Sequence, residues 1–152
     1  MQKKCFFIGH RDTPMELFPF LKEAVERHIL EYGITDFYVG HYGGFDRMAA
    51  QAVKECKQQY PQITLTMLLP YHPFEQPIKA PEGFDGTYYP DGMETVPKQF
   101  AIVRANQAML KESTHLIAYV RHSFGGAARL LEYAQKRETK GLVQIENLVE
   151  KL

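Results

Sequence analysis

The sequence predicts an α/β protein: a three-layer Rossmann-like fold with a central parallel sheet of about five strands and helices on both faces. Three observations predict it. Short apolar runs alternate with longer segments of helical periodicity from one end of the chain to the other. The runs are apolar at successive positions instead of every second one, as in strands covered on both faces. Segments in such alternation must be joined by crossovers, and crossovers build a parallel sheet with helices packed against it. A length of 152 residues suits one hydrophobic core, so residues 1–152 read as a single domain.

The first strand is Lys4-Cys5-Phe6-Phe7-Ile8-Gly9, an apolar run ending in glycine. Thr13-Pro14-Met15-Glu16 then has the form of an N-cap, a proline at the first helical position and a capping-box glutamate. The helix runs to Tyr32 with Phe18, Leu21, Val25 and Ile29 on one face, and Gly33 stops it. Pro19 sits badly inside it, so the first turn is expected to be kinked or separate. The cycle repeats with a strand over 35–40, the turn His41-Tyr42-Gly43-Gly44, and a helix bearing Met48, Ala49, Ala52, Val53 and Cys56 as its apolar stripe. Residues 63–69 form the third strand. A helix over about 97–112 carries Ala101, Ala105, Ala108 and Met109 on one face. The fourth strand spans 115–120 and enters the turn Ser123-Phe124-Gly125-Gly126. The last helix buries Ala127, Leu130, Leu131 and Ala134, and a strand over 141–145 closes the series.

Residues 70–96 interrupt the alternation. This stretch holds five prolines, at 70, 73, 77, 81 and 90, together with Tyr71, Phe74, Phe84, Tyr88 and Tyr89. Segments of this length inside a domain are either functional lids or unstructured, and the aromatic content points to an ordered lid; the alternative is a cover for a sheet edge.

Composition narrows the function classes. Lys plus Arg and Asp plus Glu are both 18, so the chain lacks the cationic excess of most duplex binders, which disfavours nucleic acid as a partner. No apolar run reaches the length of a membrane span, and no charged-then-apolar leader opens the chain, which reads as a cytoplasmic protein. The two cysteines, Cys5 and Cys56, have neither metal nor disulfide spacing and read as small core residues.

In open α/β sheets ligands lie beyond the carboxyl ends of the strands, where helix N-termini expose amides. Three turns there suit an anion: Gly9-His10-Arg11, Gly43-Gly44-Phe45-Asp46-Arg47 and Gly125-Gly126-Ala127-Ala128-Arg129. Paired glycines remove side chains from the path of a phosphate and allow the positive φ of an amide nest. Each pair is followed by arginine three residues after its second glycine, so the two turns read as equivalent phosphate cradles. Neither GxGxxG nor GxxxxGK[ST] occurs, which sets aside ordinary dinucleotide dehydrogenases and P-loop enzymes. No cofactor is called for.

His10, His41, His72 and His122 each follow a strand. Spread along one rim at roughly 4.8 Å per strand they cannot share one metal, and no metal site is expected. His28 and His115 read as packing or capping residues. Arg104, before the fourth strand, and Glu132, one turn into the last helix, could reach the same rim. An arginine on phosphate beside a carboxylate able to polarise a ribose hydroxyl or guide water would suit N-glycosidic cleavage. The plainer alternative pairs Glu132 with Lys136 or Arg129 along its own helix.

At these residues the chain resembles the SLOG superfamily, which joins the DNA-processing protein DprA with LOG-type nucleotide phosphoribohydrolases, and it looks most similar to the YpsA-like branch. Gly43-Gly44-Phe45-Asp46-Arg47-Met48-Ala49 is similar to the Gly-x-Asp turn after strand two. Arg104-Ala105-Asn106-Gln107-Ala108-Met109 resembles the Arg, Asn and Met pattern before strand four. Gly125-Gly126-Ala127-Ala128-Arg129-Leu130-Leu131-Glu132 lies over the LOG-type motif PGGxGTxxE. His122-Ser123-Phe124 stands where that motif has proline, and Ala128-Arg129 where it has Gly-Thr. The resemblance implies a nucleotide or nucleotide-derived phosphate ligand held by Gly9, His10, Arg11, Gly43, Gly44, Asp46, Arg47, Asn106, Gly125, Gly126 and Arg129. It also implies Arg104 and Glu132 as the catalytic residues if the ligand is hydrolysed, and a homodimer. Three readings follow: a nucleotide-binding sensor or processing module, a nucleoside monophosphate N-glycosidase, and a DprA-like binder of single-stranded DNA.

Overall fold

The computed structural model describes residues 2–78 and 80–152. Six strands, all parallel, form one sheet: β1 (Lys4–Gly9), β2 (Asp36–Val39), β3 (Thr64–Leu68), β4 (Gly86–Tyr88), β5 (His115–Tyr119) and β6 (Gln144–Asn147). Four helices accompany them: α1 (Phe18–Tyr32), α2 (Gly44–Gln59), α3 (Ala101–Glu112) and α4 (Gly126–Thr139). The sheet order is β4-β3-β2-β1-β5-β6, so the chain moves outward from β1 through β4 and returns to β5 on the other side of β1. That reversal leaves a crevice at the carboxyl ends of β1 and β5.

Alternation along the central strands assigns each helix pair to a face. In β1, Cys5 and Phe7 point to a core shared with Leu21 and Val25 of α1 and Ala49 and Val53 of α2. Phe6 and Ile8 point the other way, to Ala105 and Met109 of α3 and Leu130 and Ala134 of α4. β5 divides in the same manner, with Ile117 and Tyr119 on the first face and Leu116 and Ala118 on the second. The result is a three-layer Rossmann-like α/β fold. Both cysteines are buried, and burial pushes the Cys56 thiol up to about 11, far from thiolate chemistry at neutral pH.

The structure departs from the sequence expectations at the start of α1, at the last strand and in the stretch 70–96. The α-helix expected from Thr13 starts at Phe18, and the first turn is separate, as Pro19 implied: Pro14 precedes a short 3-10 turn, Met15–Leu17, and Pro19 lies in the first turn of α1, where its missing N–H has no partner to lose. Thr13 gives its hydroxyl to the His10 carbonyl at 2.7 Å and does not cap. The final strand begins at Gln144, because Gly141 at φ 73° and the bond from Leu142 N–H to the Arg137 carbonyl extend the end of α4.

The largest departure is the sixth strand. β4 lies inside the stretch 70–96, where the sequence shows only Gly-Thr-Tyr, and it pairs with β3 through tertiary contacts. Leu69 N–H donates to the Tyr88 carbonyl at 2.8 Å, and the Asp85 carboxylate accepts from Leu65 N–H at 2.8 Å while pairing with Lys57. Met93 is buried and Tyr71, Tyr88 and Tyr89 pack on the α3/α4 core. Part of the segment thus forms the edge of the sheet itself, as β4 beside β3. Residue 79 lies outside the described residues.

Candidate functional site

A cavity of about 440 Å³ occupies the crevice at the carboxyl edge of the sheet, within the size range of small-molecule sites. Its lining is partly apolar: Phe6 and Ile8 of β1, Ile102 and Val103 of α3, and Ala127 and Leu130 of α4. Most of the rest of its lining is polar or glycine. Gly9, His10 and Arg11 come from the β1–α1 connection, Asp46 from the first turn of α2, Asn106 and Gln107 from α3, and Gly126 and Arg129 from the start of α4.

The two glycine pairs do different work, which corrects the expectation of two equivalent cradles. At α2, the Gly44 and Phe45 amides are already engaged, donating to the carbonyls of Arg11 at 3.0 Å and His10 at 3.2 Å. A Cβ on Gly44 would lie 2.5 Å from the Arg11 carbonyl oxygen, and one on Gly43 would lie 2.9 Å from Arg11 Cγ. These glycines let the β1–α1 connection pack on the start of α2, and they leave no nest for phosphate. Gly9 does the same for the ring of Phe45, whose Cγ would be 2.2 Å from an added Cβ.

At α4 the reverse holds. Gly125 adopts φ 95°, no side chain caps the helix, and the amides of Gly126 and Ala127 have no acceptor among the described residues. Nothing lies within 4 Å of a Cβ added to either Gly125 or Gly126. Free amides at the start of a 14-residue helix, lining a cavity, are an arrangement chemically suited to an anion, and Arg129 adds a guanidinium in the same turn.

Two titratable groups flank the opening. Burial pushes the Asp46 carboxyl up to about 6, against the lowering effects of the Tyr42 N–H that it accepts at 3.0 Å and of the Arg47 charge. Gly40 is glycine for its sake, since a Cβ there would lie 2.9 Å from Asp46 Oδ2. His10 accepts the Arg121 N–H at Nε2, 3.0 Å away, which assigns its own proton to Nδ1. Burial, then the neighbouring His122 and Arg121, lower its pKa, with Asp12 opposing, so His10 is a neutral donor at pH 7. The His10 and His122 rings lie 4.6 Å apart, and Phe124 stacks on His122 at 5.1 Å. His41 and His72 do not join them: His41 packs on Tyr42 and His72 on Phe74. Among the described residues no three metal-ligating side chains gather.

The structure thus brings Gly9, His10, Arg11, Asp46, Asn106, Gly126 and Arg129 to one cavity. Gly43, Gly44 and Arg47 lie outside its lining, and Gly125 acts through its backbone turn. Arg104 and Glu132 are exposed and line no part of it; the spacing that suggested a shared rim puts them on outer helix faces instead. Tyr42 and Gln107 line the cavity without having been singled out, though each neighbours a residue that was. No residue of 70–96 lines it.

No protein-family model matches the chain, and no curated protein matches it in sequence. Solved structures do match in fold. A molybdenum cofactor carrier protein from Chlamydomonas reinhardtii superposes with a TM-score of 0.60 at 16% identity, over 98% of this chain and 92% of its own. DNA processing protein A from Helicobacter pylori, described with a single-stranded DNA binding mode, gives 0.56 at 16% identity, over 98% of this chain and 77% of its own. At such identities the likeness establishes the shared three-layer fold.

Proposed function

We propose that this chain is a SLOG-type binding protein whose cavity takes a nucleotide or nucleotide-derived phosphate ligand. One observation carries the reading: the uncapped amides of Gly126 and Ala127 open onto an apolar cavity large enough for a base and ribose. In this reading phosphate sits on those amides and Arg129, the base lies between Ile8, Ile102 and Leu130, and Asn106 and His10 Nδ1–H supply directional hydrogen bonds. Both solved neighbours fit a ligand-binding role, one carrying a cofactor and the other binding DNA. Placement in the YpsA-like branch rests on the motif residues alone. Binding is favoured over LOG-type hydrolysis because Arg104 and Glu132 stand outside the cavity.

Thermal-shift and calorimetric titration with AMP and ADP-ribose test the reading. Stabilisation is expected, growing with ligand concentration as mass action requires, and Gly126→Asp should abolish it by setting a carboxylate on the amide end. Absence of any shift with wild-type protein rejects it.

A second reading, single-stranded DNA, is favoured by one feature. Phe124 is 72% exposed and stacks on His122 in a connection that also carries Arg121, and aromatic rings on arginine-bearing loops are what single strands stack on. A balanced net charge is no argument against it, because the contacts needed are local. Affinity for oligothymidylate that falls steeply with salt would favour this reading.

A further inference from the structure

The rim carries a second depression, on the other side of the β1–α1 connection. It encloses about 790 Å³ and is more open than the first. Arg11, Arg47 and Arg121 line it, each from a different element: the connection after β1, the first turn of α2 and the connection after β5. Asp12 is the one carboxylate in that lining. Among the described residues none of the three guanidinium groups has a carboxylate within salt-bridge distance. In a chain whose formal charges cancel, three unpaired cations around one hollow are a local excess that attracts an anion.

The backbone beneath them is fixed. Arg11 is held by the Gly44 N–H on its carbonyl at 3.0 Å, and Arg121 by its own N–H on His10 Nε2 at 3.0 Å. The Gly44 and Phe45 amides are engaged there, so the guanidinium groups, which suit phosphate bidentately, are what this hollow offers an anion. Met15, Phe18 and Met48 give the hollow an apolar floor on which a flat ring can rest. Arg11 lines both cavities, so one molecule can pass from one to the other along it.

We propose that the ligand has two nucleotide-sized halves joined through phosphate. One half fills the first cavity with its phosphate on the Gly126 and Ala127 amides, the bridging phosphate lies among Arg11, Arg47 and Arg121, and the base of the second half rests on Met15, Phe18 and Met48. This rests on the nucleotide reading of the first cavity and names the ligand class for it.

Calorimetry with AMP, the phosphodiester-linked dinucleotide pApA, the pyrophosphate-linked diadenosine diphosphate and a dodecamer of deoxyadenylate tests the assignment, using wild type, Arg47→Ala, Arg121→Ala and Gly126→Asp. One or both two-half ligands should bind at least about tenfold tighter than AMP, and the linkage that gains identifies the bridge. Each arginine variant should remove about threefold or more of that gain while AMP affinity changes less than about twofold. Equal affinity for AMP and both two-half ligands overturns the inference, as does a gain that survives both arginine variants. Affinity that climbs further for the dodecamer overturns it in favour of a nucleic-acid strand. If AMP fails to bind and Gly126→Asp leaves every ligand unaffected, the first-cavity reading falls and this inference with it; loss of arginine dependence alone removes only the second half.

Discussion

A methyl group tests what each turn glycine is for. At Gly9 it would enter the ring of Phe45, and at Gly44 the Arg11 carbonyl, so Gly9→Ala and Gly44→Ala should each lower the unfolding free energy by about 2–3 kcal/mol in urea titrations. At Gly126 it meets open space, and Gly126→Ala should change stability by less than about 0.5 kcal/mol; equal losses at all three sites would remove the distinction between packing glycines and the open amide end. Asp46 offers a second residue-level test. Its folded pKa of about 6 lies above the ordinary 3.8, so the folded state holds the extra proton, and stability present at pH 4 is lost as pH rises through 6. Asp46→Asn keeps an acceptor for Tyr42 N–H without the charge. The variant should exceed wild type by about 3 kcal/mol at pH 8 and by little at pH 4, read as melting temperature against pH. These residues were legible by type and position: Gly126, Asn106 and Arg129 lie where the turns and motifs put them. What the sequence could not show is that backbone carbonyls from a distant turn satisfy the Gly44 and Phe45 amides, because that occupancy depends on how two connections pack in space.

Elements with apolar runs or a clear helical stripe, β1, β3, β5, α2 and α4, lie within a few residues of where the sequence puts them, since burial on fixed faces dictates both. β4 was illegible for the opposite reason: its three residues have no apolar pattern, and Asp85 and Lys57 recruit them to the sheet. The junction between the last turns of α1 and the start of β5 has its own consequence. His28 and His115 are buried with their rings 5.6 Å apart, and Tyr32 stacks on His115 at 4.9 Å. Burial, then the neighbouring His28 and Lys3, lowers His115 to about 4, and burial lowers His28 as well, against the Ala24 carbonyl bond. A depressed histidine stabilises the fold above its unfolded pKa of about 6.5, and that stability drains as pH falls toward 4. Unfolding free energy should therefore decline between pH 6.5 and 4, by about 3 kcal/mol from His115 alone. His115→Phe, which keeps a ring against Tyr32, should flatten that limb, and an unchanged acid limb in this variant would remove the cluster as its cause.

At the scale of the whole molecule, the order β4-β3-β2-β1-β5-β6 places two helix–strand halves against each other at β1 and β5, so the crevice between them is a product of chain reversal and not of any one motif. In the proposed reading fixed amides and one or two arginines meet the ligand there, in a protein without net charge. The long-range field is weak, and recognition must come from contact. Salt separates the two readings on this basis. A mononucleotide held by the Gly126 and Ala127 amides with Arg129 displaces few counterions, so the logarithm of its affinity should fall with the logarithm of salt at a slope of about −1 or shallower. A single strand following Arg11, Arg47, Arg121 and Arg129 neutralises as many as four phosphates, which gives a slope of about −3. Titrations of AMP and of a dodecamer between low and physiological salt measure both. The nucleotide reading requires measurable AMP affinity with the shallow slope, together with dodecamer binding that vanishes by physiological salt. A dodecamer that persists there with the steep slope, while AMP stays unbound, would make this edge of the sheet a nucleic-acid surface.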